Sequence, residues 1–231
     1  MRSKPVVAVF AAATLAGLSS GPAQASNSHR TCGEFSELSI ILEQNATDGD
    51  AEVVVFAKGQ DDGLRSLTVT SPRGRLTAAF IGSSGGIGIR EFILESAEPT
   101  DIESVLRSFP EGVYRFRGRT VNGECLKGSA TLSHIFAPAT VILTPGEDEV
   151  IAPENFVLTW EAVPGAASYV IGVDNEDRGT ALVAEIAPTA TAFTVPREWL
   201  EAGTEYTVAV AVKAEDGNSS SVEITVTTID D

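Results

Sequence analysis

Short apolar runs separated by turn residues make up most of the first half of the chain. The runs lie at residues 38–42, 53–56, 67–70, 76–81, 89–94, 113–119 and 126–135. Asn122-Gly123 separates the last two, and both residues tolerate the positive φ of a tight hairpin turn. Several short strands at this spacing predict a β-sandwich or a barrel.

One segment of the first half has helical periodicity instead. Thr100 followed by Glu103 has the spacing of a capping box, and Pro110 would stop a helix. One helical face would carry Ile102, Val105, Leu106 and Phe109. We therefore expect a single short helix at one end of the first sheet.

The second half alternates in the same way as a strand-rich module. Residues 156–160 place Trp160 on an inner face, and further apolar runs follow at residues 168–173, 204–210 and 222–228. Residues 138–145 precede these runs and predict a linker followed by a first strand.

This half resembles a fibronectin type III module over residues 139–228. Three residues carry the resemblance in the right order: Trp160 on the second strand, Tyr169 on the third, and Tyr206, which follows Leu200 in a tyrosine-corner setting. The resemblance implies a second β-sandwich, so the expected fold is all-β, with two consecutive immunoglobulin-like or fibronectin type III-like sandwiches.

The first half resembles β-rich domains of exported bacterial proteins in which such a domain precedes a type III module. Residues 90–99 and 109–114 carry this resemblance, which implies no known activity.

The N-terminus has the three parts of a secretory signal peptide. Arg2 and Lys4 precede an apolar run at residues 6–18, and Ala23-Gln24-Ala25 provides a small-residue cleavage site. We predict a signal peptide at residues 1–25 and an exported protein, extracellular or periplasmic. No later apolar stretch has the length of a membrane helix, so no membrane span is expected.

Export changes how the two cysteines are interpreted. In an oxidising compartment, Cys32 and Cys125 are expected to form one disulfide bond, with two unpaired thiols as the alternative. Closing a loop of this length would stabilise the fold by about 4–5 kcal/mol in the chain-entropy model.

Charge divides the chain near residue 138. Residues 26–138 carry 11 basic and 15 acidic side chains, a net of −4, whereas residues 139–231 carry 3 and 17, a net of −14. We predict an N-terminal β-sandwich-like domain of unknown role over 26–138 and a type III domain over 139–231. The overall charge of −16 argues against nucleic acid as a partner.

Candidate catalytic and metal-binding residues are few. His29 lies in the segment just before the first apolar run, and His134 follows Ser133 on a strand, where neighbours point to opposite faces. The acidic loops 48–50 and 61–63 lack the spacing of a calcium loop, and turns explain their aspartates. We predict no catalytic residue, no metal site and no cofactor.

Arg115, Arg117 and Arg119 alternate with Tyr114 and Phe116, which places three guanidinium groups on one face of a strand. One interpretation is a ligand-contact surface for carboxylates or sulfates of an anionic polymer. The other is a solvated face whose arginines pair with carboxylates on a neighbouring strand, such as Glu91.

These features favour a non-catalytic exported protein that acts as a spacer or as a protein- or surface-interaction module, with an unknown protein or glycan as partner. Two alternatives remain open. One is a carbohydrate-binding module that uses exposed aromatics or the arginine row of the first domain. The other is a small secreted hydrolase whose active site forms only in space.

Overall fold

The computed structural model describes residues 32–82, 86–175 and 180–230, and β-strands make up most of these ranges. The predicted signal peptide, residues 1–25, lies outside the described residues. In the N-terminal half the elements are β1 Gly33–Glu34, β2 Glu37–Asn45, β3 Asp50–Lys58, β4 Leu64–Thr70, β5 Leu76–Ile81, β6 Glu91–Glu95, α1 Ile102–Ser108, β7 Gly112–Thr120 and β8 Cys125–Leu132. In the C-terminal half they are β9 Ile142–Thr144, β10 Glu149–Ile151, β11 Val157–Trp160, β12 Ser168–Asn175, β13 Thr180–Ile186, β14 Ala192–Thr194, β15 Glu205–Lys213 and β16 Ser219–Thr228, with one-turn 3₁₀ helices at Pro153–Asn155 and Arg197–Trp199.

The N-terminal half is a sandwich. A five-stranded sheet in the order β1-β8-β7-β4-β5 packs against strands β2, β3 and β6. Alternate residues of each strand enter the core between them, and Tyr114, Phe116 and Leu42 are at most 1% exposed. Each large apolar side chain buried in this way contributes about 1.5–3 kcal/mol, so the alternation seen in the sequence specifies the core.

The predicted helix is present, but its N-cap is not the predicted one. Asp101, not Thr100, caps α1, because its carboxylate accepts a hydrogen bond from the Ser104 amide at 3.3 Å. Aspartate is among the strongest N-cap residues, and here its carboxylate also reaches Arg107. Val105 is the residue that the helix buries in the core.

The C-terminal half has the strand order that the type III resemblance implies. A three-stranded sheet, β14-β11-β9, faces the four strands β13-β12-β15-β16 across a second core around Trp160. The Tyr206 hydroxyl accepts a hydrogen bond from the Glu201 amide at 2.8 Å and donates one to the Trp199 carbonyl at 3.4 Å. This is the tyrosine corner of such sandwiches, and it confirms the resemblance and the all-β fold.

The two sandwiches share one sheet, which the sequence did not predict. Strand β16 pairs in parallel with β2, with Ser219 opposite Glu43, Ser220 opposite Gln44 and Ser221 opposite Asn45. The pairing joins β13, β12, β15 and β16 to β2, β3 and β6 in one sheet. Strand β10, which pairs with the far end of β16, is the eighth strand of this sheet. We call this β2–β16 junction the seam.

Asn218 is the polar centre of the seam. Its side chain is 1% exposed and accepts a hydrogen bond from the Leu42 amide at 2.8 Å. Its Nδ2 donates to the Ile135 carbonyl at 2.7 Å and to the Ser133 carbonyl at 3.1 Å. One amide group therefore satisfies backbone groups of β2 and of the segment that connects the two halves.

The connecting segment is consequently tied to the seam rather than free as the predicted linker would be. Ala137 and Thr140 are each 4% exposed, and the Ala137 carbonyl accepts a hydrogen bond from the Ser220 hydroxyl at 2.6 Å. Gly217 passes so close to β2 that a Cβ there would lie 2.9 Å from a methyl group of Ile41. The halves are held in contact by the backbone itself.

Replacing Asn218 by alanine should destabilise the whole chain. The substitution leaves a buried amide and two carbonyls without partners, so we expect a loss of about 2–4 kcal/mol in the free energy of unfolding, measured by urea denaturation. Asn122→Ala is the matched control, since Asn122 is an exposed turn residue whose side-chain amide donates a hydrogen bond to the Asp62 carboxylate at 2.7 Å. Equal losses in the two variants would show that Asn218 has no special role in the seam.

Candidate functional site

Strand β7 presents the predicted arginine row. Tyr114 and Phe116 point into the core, whereas Arg115, Arg117 and Arg119 are exposed on the outer face of the five-stranded sheet. Consecutive arginines of the row are separated by two residues, or about 7 Å along an extended strand. The row therefore covers about 14 Å of a flat surface. We call this surface the arginine face.

The neighbours of the row in the sheet are hydroxyls and another cation. Arg115 lies between Thr70 and Ser129, Arg117 lies between Thr68 and Lys127, and Arg119 lies opposite Ser66. None of the ion pairs between described residues involves these three arginines. Lys127 has Glu34 of β1 as its register partner on the other side, so within the described ranges it is the three arginines that lack a carboxylate neighbour.

The predicted pairing of the row with Glu91 is wrong. Glu91 lies on β6, which belongs to the other sheet of the sandwich, and its carboxylate pairs with Lys58 at 2.5 Å. This contact also lowers the pKa of Glu91, through the hydrogen bond and the charge of Lys58. Sequence spacing could not show which strands are neighbours, so it could not show that the row lacks carboxylates.

Aromatic side chains of the N-terminal half do not form an exposed platform within the described ranges. Phe35, Phe56, Phe92, Tyr114 and Phe116 are all at most 9% exposed. A module that stacks neutral sugar rings needs such a platform, so the aromatic version of the carbohydrate-binding alternative finds no support in this half. The exposed aromatic Trp199, at 47%, lies in the C-terminal half.

The structure joins Cys32 to Cys125, which is the predicted pairing. Their Cα atoms lie 4.7 Å apart and the bond closes a separation of 93 residues. Cys125 is opposite Arg119, and the two-residue strand β1 follows Cys32 and pairs with β8. The disulfide thus fixes the edge of the sheet that carries the arginine face.

His134 links the end of β8 to the helix. Its Nε2 lies 2.7 Å from the Phe109 carbonyl oxygen at the C-terminus of α1. The ring borders an open groove of about 790 Å³, whose other polar side chains are Arg73, Arg107, Glu103 and Glu111. Among the described residues that line this groove there is no serine, threonine or cysteine.

A group of carboxylates lies beside the seam and was not predicted. Glu43 on β2 is directly opposite Glu52 on β3, and Glu52 is 6% exposed. Glu95 pairs with Val54, two residues along β3, and Glu98 is close enough to hydrogen-bond to Glu52. We call these four residues the acidic cluster. The sequence carries a weak signal for it, because Glu43 directly follows the apolar residues 40–42 of β2 and Glu52 directly precedes the apolar residues 53–57 of β3.

Burial and mutual repulsion raise the pKa values of two of these carboxyl groups. Burial raises the pKa of Glu43 to about 7, with a further increase from Glu95 that Lys213 partly offsets. Burial raises the pKa of Glu52 to about 8, together with the charges of Glu98 and Glu43. One oxygen of Glu43, Oε1, is buried without a hydrogen-bond partner among the described residues.

Two further properties concern the described ranges only. No group of three or more histidine, cysteine, aspartate or glutamate side chains within them is arranged to hold a metal ion. No helix within them is long and apolar enough to cross a bilayer.

No protein-family model and no curated protein matches the chain. The two-domain fibronectin type III segment of chicken tenascin aligns over 84% of this chain and 99% of its own, at 13% identity and a TM-score of 0.32. The FN1–FN3 domains of chicken CNTN1 align over 85% and 69%, at 11% identity and a TM-score of 0.33.

A third structure is a tetra-tandem repeat from the extending region of a large adhesion protein. It aligns over 83% of this chain at 17% identity and a TM-score of 0.29, and the chain spans about half of it, 49%. The type III assignment of the C-terminal half rests on its own strand order and tyrosine corner.

Removing the disulfide should destabilise the N-terminal sandwich. For the double variant Cys32→Ser/Cys125→Ser we expect a loss of about 2–5 kcal/mol in the free energy of unfolding, because the unfolded chain regains the entropy of an open loop. Urea denaturation with and without a reducing agent measures it. The reductant should lower the stability of the parent chain and leave the variant unchanged; a parent chain that the reductant does not affect would contradict the prediction.

The acidic cluster should make the chain less stable as pH rises. In the folded state Glu43 and Glu52 bind protons up to pH 7–8, whereas in the unfolded state they release them near 4.5. Between these values the folded state holds more protons, so the free energy of unfolding falls as pH increases. We expect a lower melting temperature at pH 8.5 than at pH 5.5, by about 2–4 °C for each kcal/mol lost.

Neutral substitutions separate the cluster from the general charge of the chain. Glu43→Gln/Glu52→Gln should flatten the dependence of melting temperature on pH and raise stability at pH 8.5. The matched control, Glu124→Gln/Glu198→Gln, removes two exposed carboxylates elsewhere and should keep the parent dependence. If both variants retained the same slope, the cluster would not be its source.

Proposed function

We propose that the chain is an exported, non-catalytic interaction protein whose arginine face binds an anionic polymer, with carboxylate or sulfate groups on a surface glycan as the primary target. The observation that carries the proposal is the row of three exposed arginines, none of which has a carboxylate among its cross-strand neighbours or forms an ion pair between described residues. Guanidinium groups bind carboxylate and sulfate oxygens bidentately, and a linear array suits a repeating anionic chain.

The placement of this face supports the proposal in a chain of net charge −16. Most of the excess acid lies in residues 139–231, so the cationic face lies on the less acidic half. At about 0.1 M salt the Debye length is about 10 Å, which screens distant carboxylates from a ligand in direct contact with the arginines.

For the C-terminal half we propose a spacer role. We propose a division near residue 138 into two units, and the seam supports a fixed spacing between them because backbone bonds and Asn218 tie the halves together. The disulfide and the N-terminal pattern of residues 1–25 support export, since disulfides are typical of oxidising compartments.

The hydrolase alternative has one observation in its favour. Glu43 and Glu52 form a close carboxyl pair with raised pKa values, as a general acid requires. Their cross-strand position between β2 and β3, beside the seam, also gives them a structural role, and the Gln double variant separates the catalytic role from the structural one. Loss of a glycoside-hydrolysing activity with a gain in stability at pH 8.5 would favour the alternative.

The arginine face is tested by chromatography on immobilised heparin and on polygalacturonate, with dextran as the neutral matrix. The parent chain should be retained at 0.1 M NaCl by both anionic matrices and pass freely through dextran, with retention that falls as salt increases. The variant Arg115→Gln/Arg117→Gln/Arg119→Gln should lose retention, because it removes the charges without disturbing the core on the opposite face.

A matched variant controls for net charge. Arg90→Gln/Arg107→Gln/Arg197→Gln removes the same number of positive charges, each from an exposed ion pair elsewhere, and should be retained like the parent. Equal retention of the row variant and the parent would overturn the proposal, as would equal loss in both triple variants.

A further inference from the structure

One edge of the five-stranded sheet has no paired strand among the described residues. Strand β5, Leu76–Ile81, is hydrogen-bonded on one side to β4 and ends the sheet on the other side. Its sequence, Leu-Thr-Ala-Ala-Phe-Ile, contains no charge, proline or glycine. Exposed edges of this kind accept another strand, and proteins ordinarily block them with charges, proline or very short strands.

Two other sheet edges carry such protection. Strand β6 begins and ends with glutamate, at Glu91 and Glu95. On the far side of the five-stranded sheet, β1 has only two residues and is anchored by the disulfide at Cys32. Strand β5 has neither kind of protection.

Hydrogen-bond alternation shows which groups of β5 are available. The Gly82 amide donates to the Arg65 carbonyl at 2.7 Å, so in the antiparallel ladder Phe80 and Ala78 bond to β4. The amide and carbonyl groups of Ala79 and Ile81 consequently face outward. Apolar side chains accompany them: Leu76 is 64% exposed, Ile81 is 83% exposed, and Ile87 beyond the strand is 88% exposed.

We infer that β5 is a self-association edge, where a second copy of this chain pairs its own β5 antiparallel to the first, with Ala79 opposite Ala79 across a two-fold axis. This register places Ile81 opposite Thr77 twice, so only uncharged side chains meet and the smallest ones lie on the axis. A closed two-fold pairing of the same patch is the commonest way for identical chains to associate.

An uncharged strand lowers the electrostatic cost of bringing two copies of this chain together. With a net charge of −16, two copies repel each other generally, and an uncharged strand on the less acidic half minimises that repulsion. The chain already extends a sheet in this manner at the seam, where β16 and β2 join two sandwiches by strand pairing. The inference does not depend on polymer binding by the arginine face.

The test is sedimentation equilibrium of the full chain from about 5 to 200 µM, a range suited to the micromolar affinity expected of a small interface. The parent chain should form a dimer. Ala79→Lys places two like charges opposite each other on the axis and should weaken the dimer by at least about tenfold. Val113→Lys, on the same sheet but away from the edge, should leave it unchanged; Val113 is 43% exposed.

Cross-linking tests the register itself. Opposed residues of a hydrogen-bonded antiparallel pair have Cα atoms about 5.5 Å apart, within disulfide range, so Ala79→Cys should form a covalent dimer under mild oxidation and Val113→Cys should not. A parent chain that stays monomeric at about 200 µM overturns the inference. A dimer that Ala79→Lys does not weaken, or that Ala79→Cys does not cross-link, also overturns it by placing the contact elsewhere.

Discussion

The parallel pairing of β2 with β16 is the constraint on which the arrangement of the whole molecule depends. Three residue pairs and the buried amide of Asn218 join one sheet of the N-terminal sandwich to one sheet of the C-terminal sandwich, which makes a single continuous sheet. A polar side chain that is 1% exposed destabilises the fold unless its hydrogen-bonding groups have partners. Here backbone groups of β2 and of the connecting segment are those partners. The seam therefore defines a single geometry instead of a range of hinge angles.

The seam also accounts for the burial of carboxyl groups in the acidic cluster. Extending β2 by a further strand removes solvent from Glu43, and its neighbour Glu52 loses solvent with it. Lys213, on β15, partly offsets the charge of Glu43 from the C-terminal half. Desolvated carboxyl groups reduce stability at neutral pH, which is a cost of joining the sheets at this point rather than elsewhere.

Several elements could be predicted from the sequence because their cause is local. Alternation placed Tyr114 and Phe116 inside and the three arginines outside, and Asn122-Gly123 turns between β7 and β8 with Gly123 at a φ of 84°. The N-cap of the helix was harder to predict, because Thr100 and Asp101 are adjacent and both residue types can cap a helix.

What could not be predicted depends on contacts between distant residues. Nothing in the pattern near Glu43 indicates that residues 219–221 will lie beside it, and nothing near Arg117 indicates that Glu91 will be in the opposite sheet. The lack of carboxylate neighbours at the three arginines and the burial of the acidic cluster both depend on which strands are adjacent. Alternation within one strand does not specify that. Candidate sites on a sheet are therefore less predictable than the sheet itself.

The sequence distance across the seam has a consequence for how the chain folds. Strand β2 is synthesised well before its partner β16, since Leu42 and Asn218 are 176 positions apart. The N-terminal sandwich can form its own core in the meantime, but one edge of β2 stays open until the last strand emerges. The seam therefore cannot close before β16 has been made, and a chain truncated before residue 218 would expose that edge to other strands.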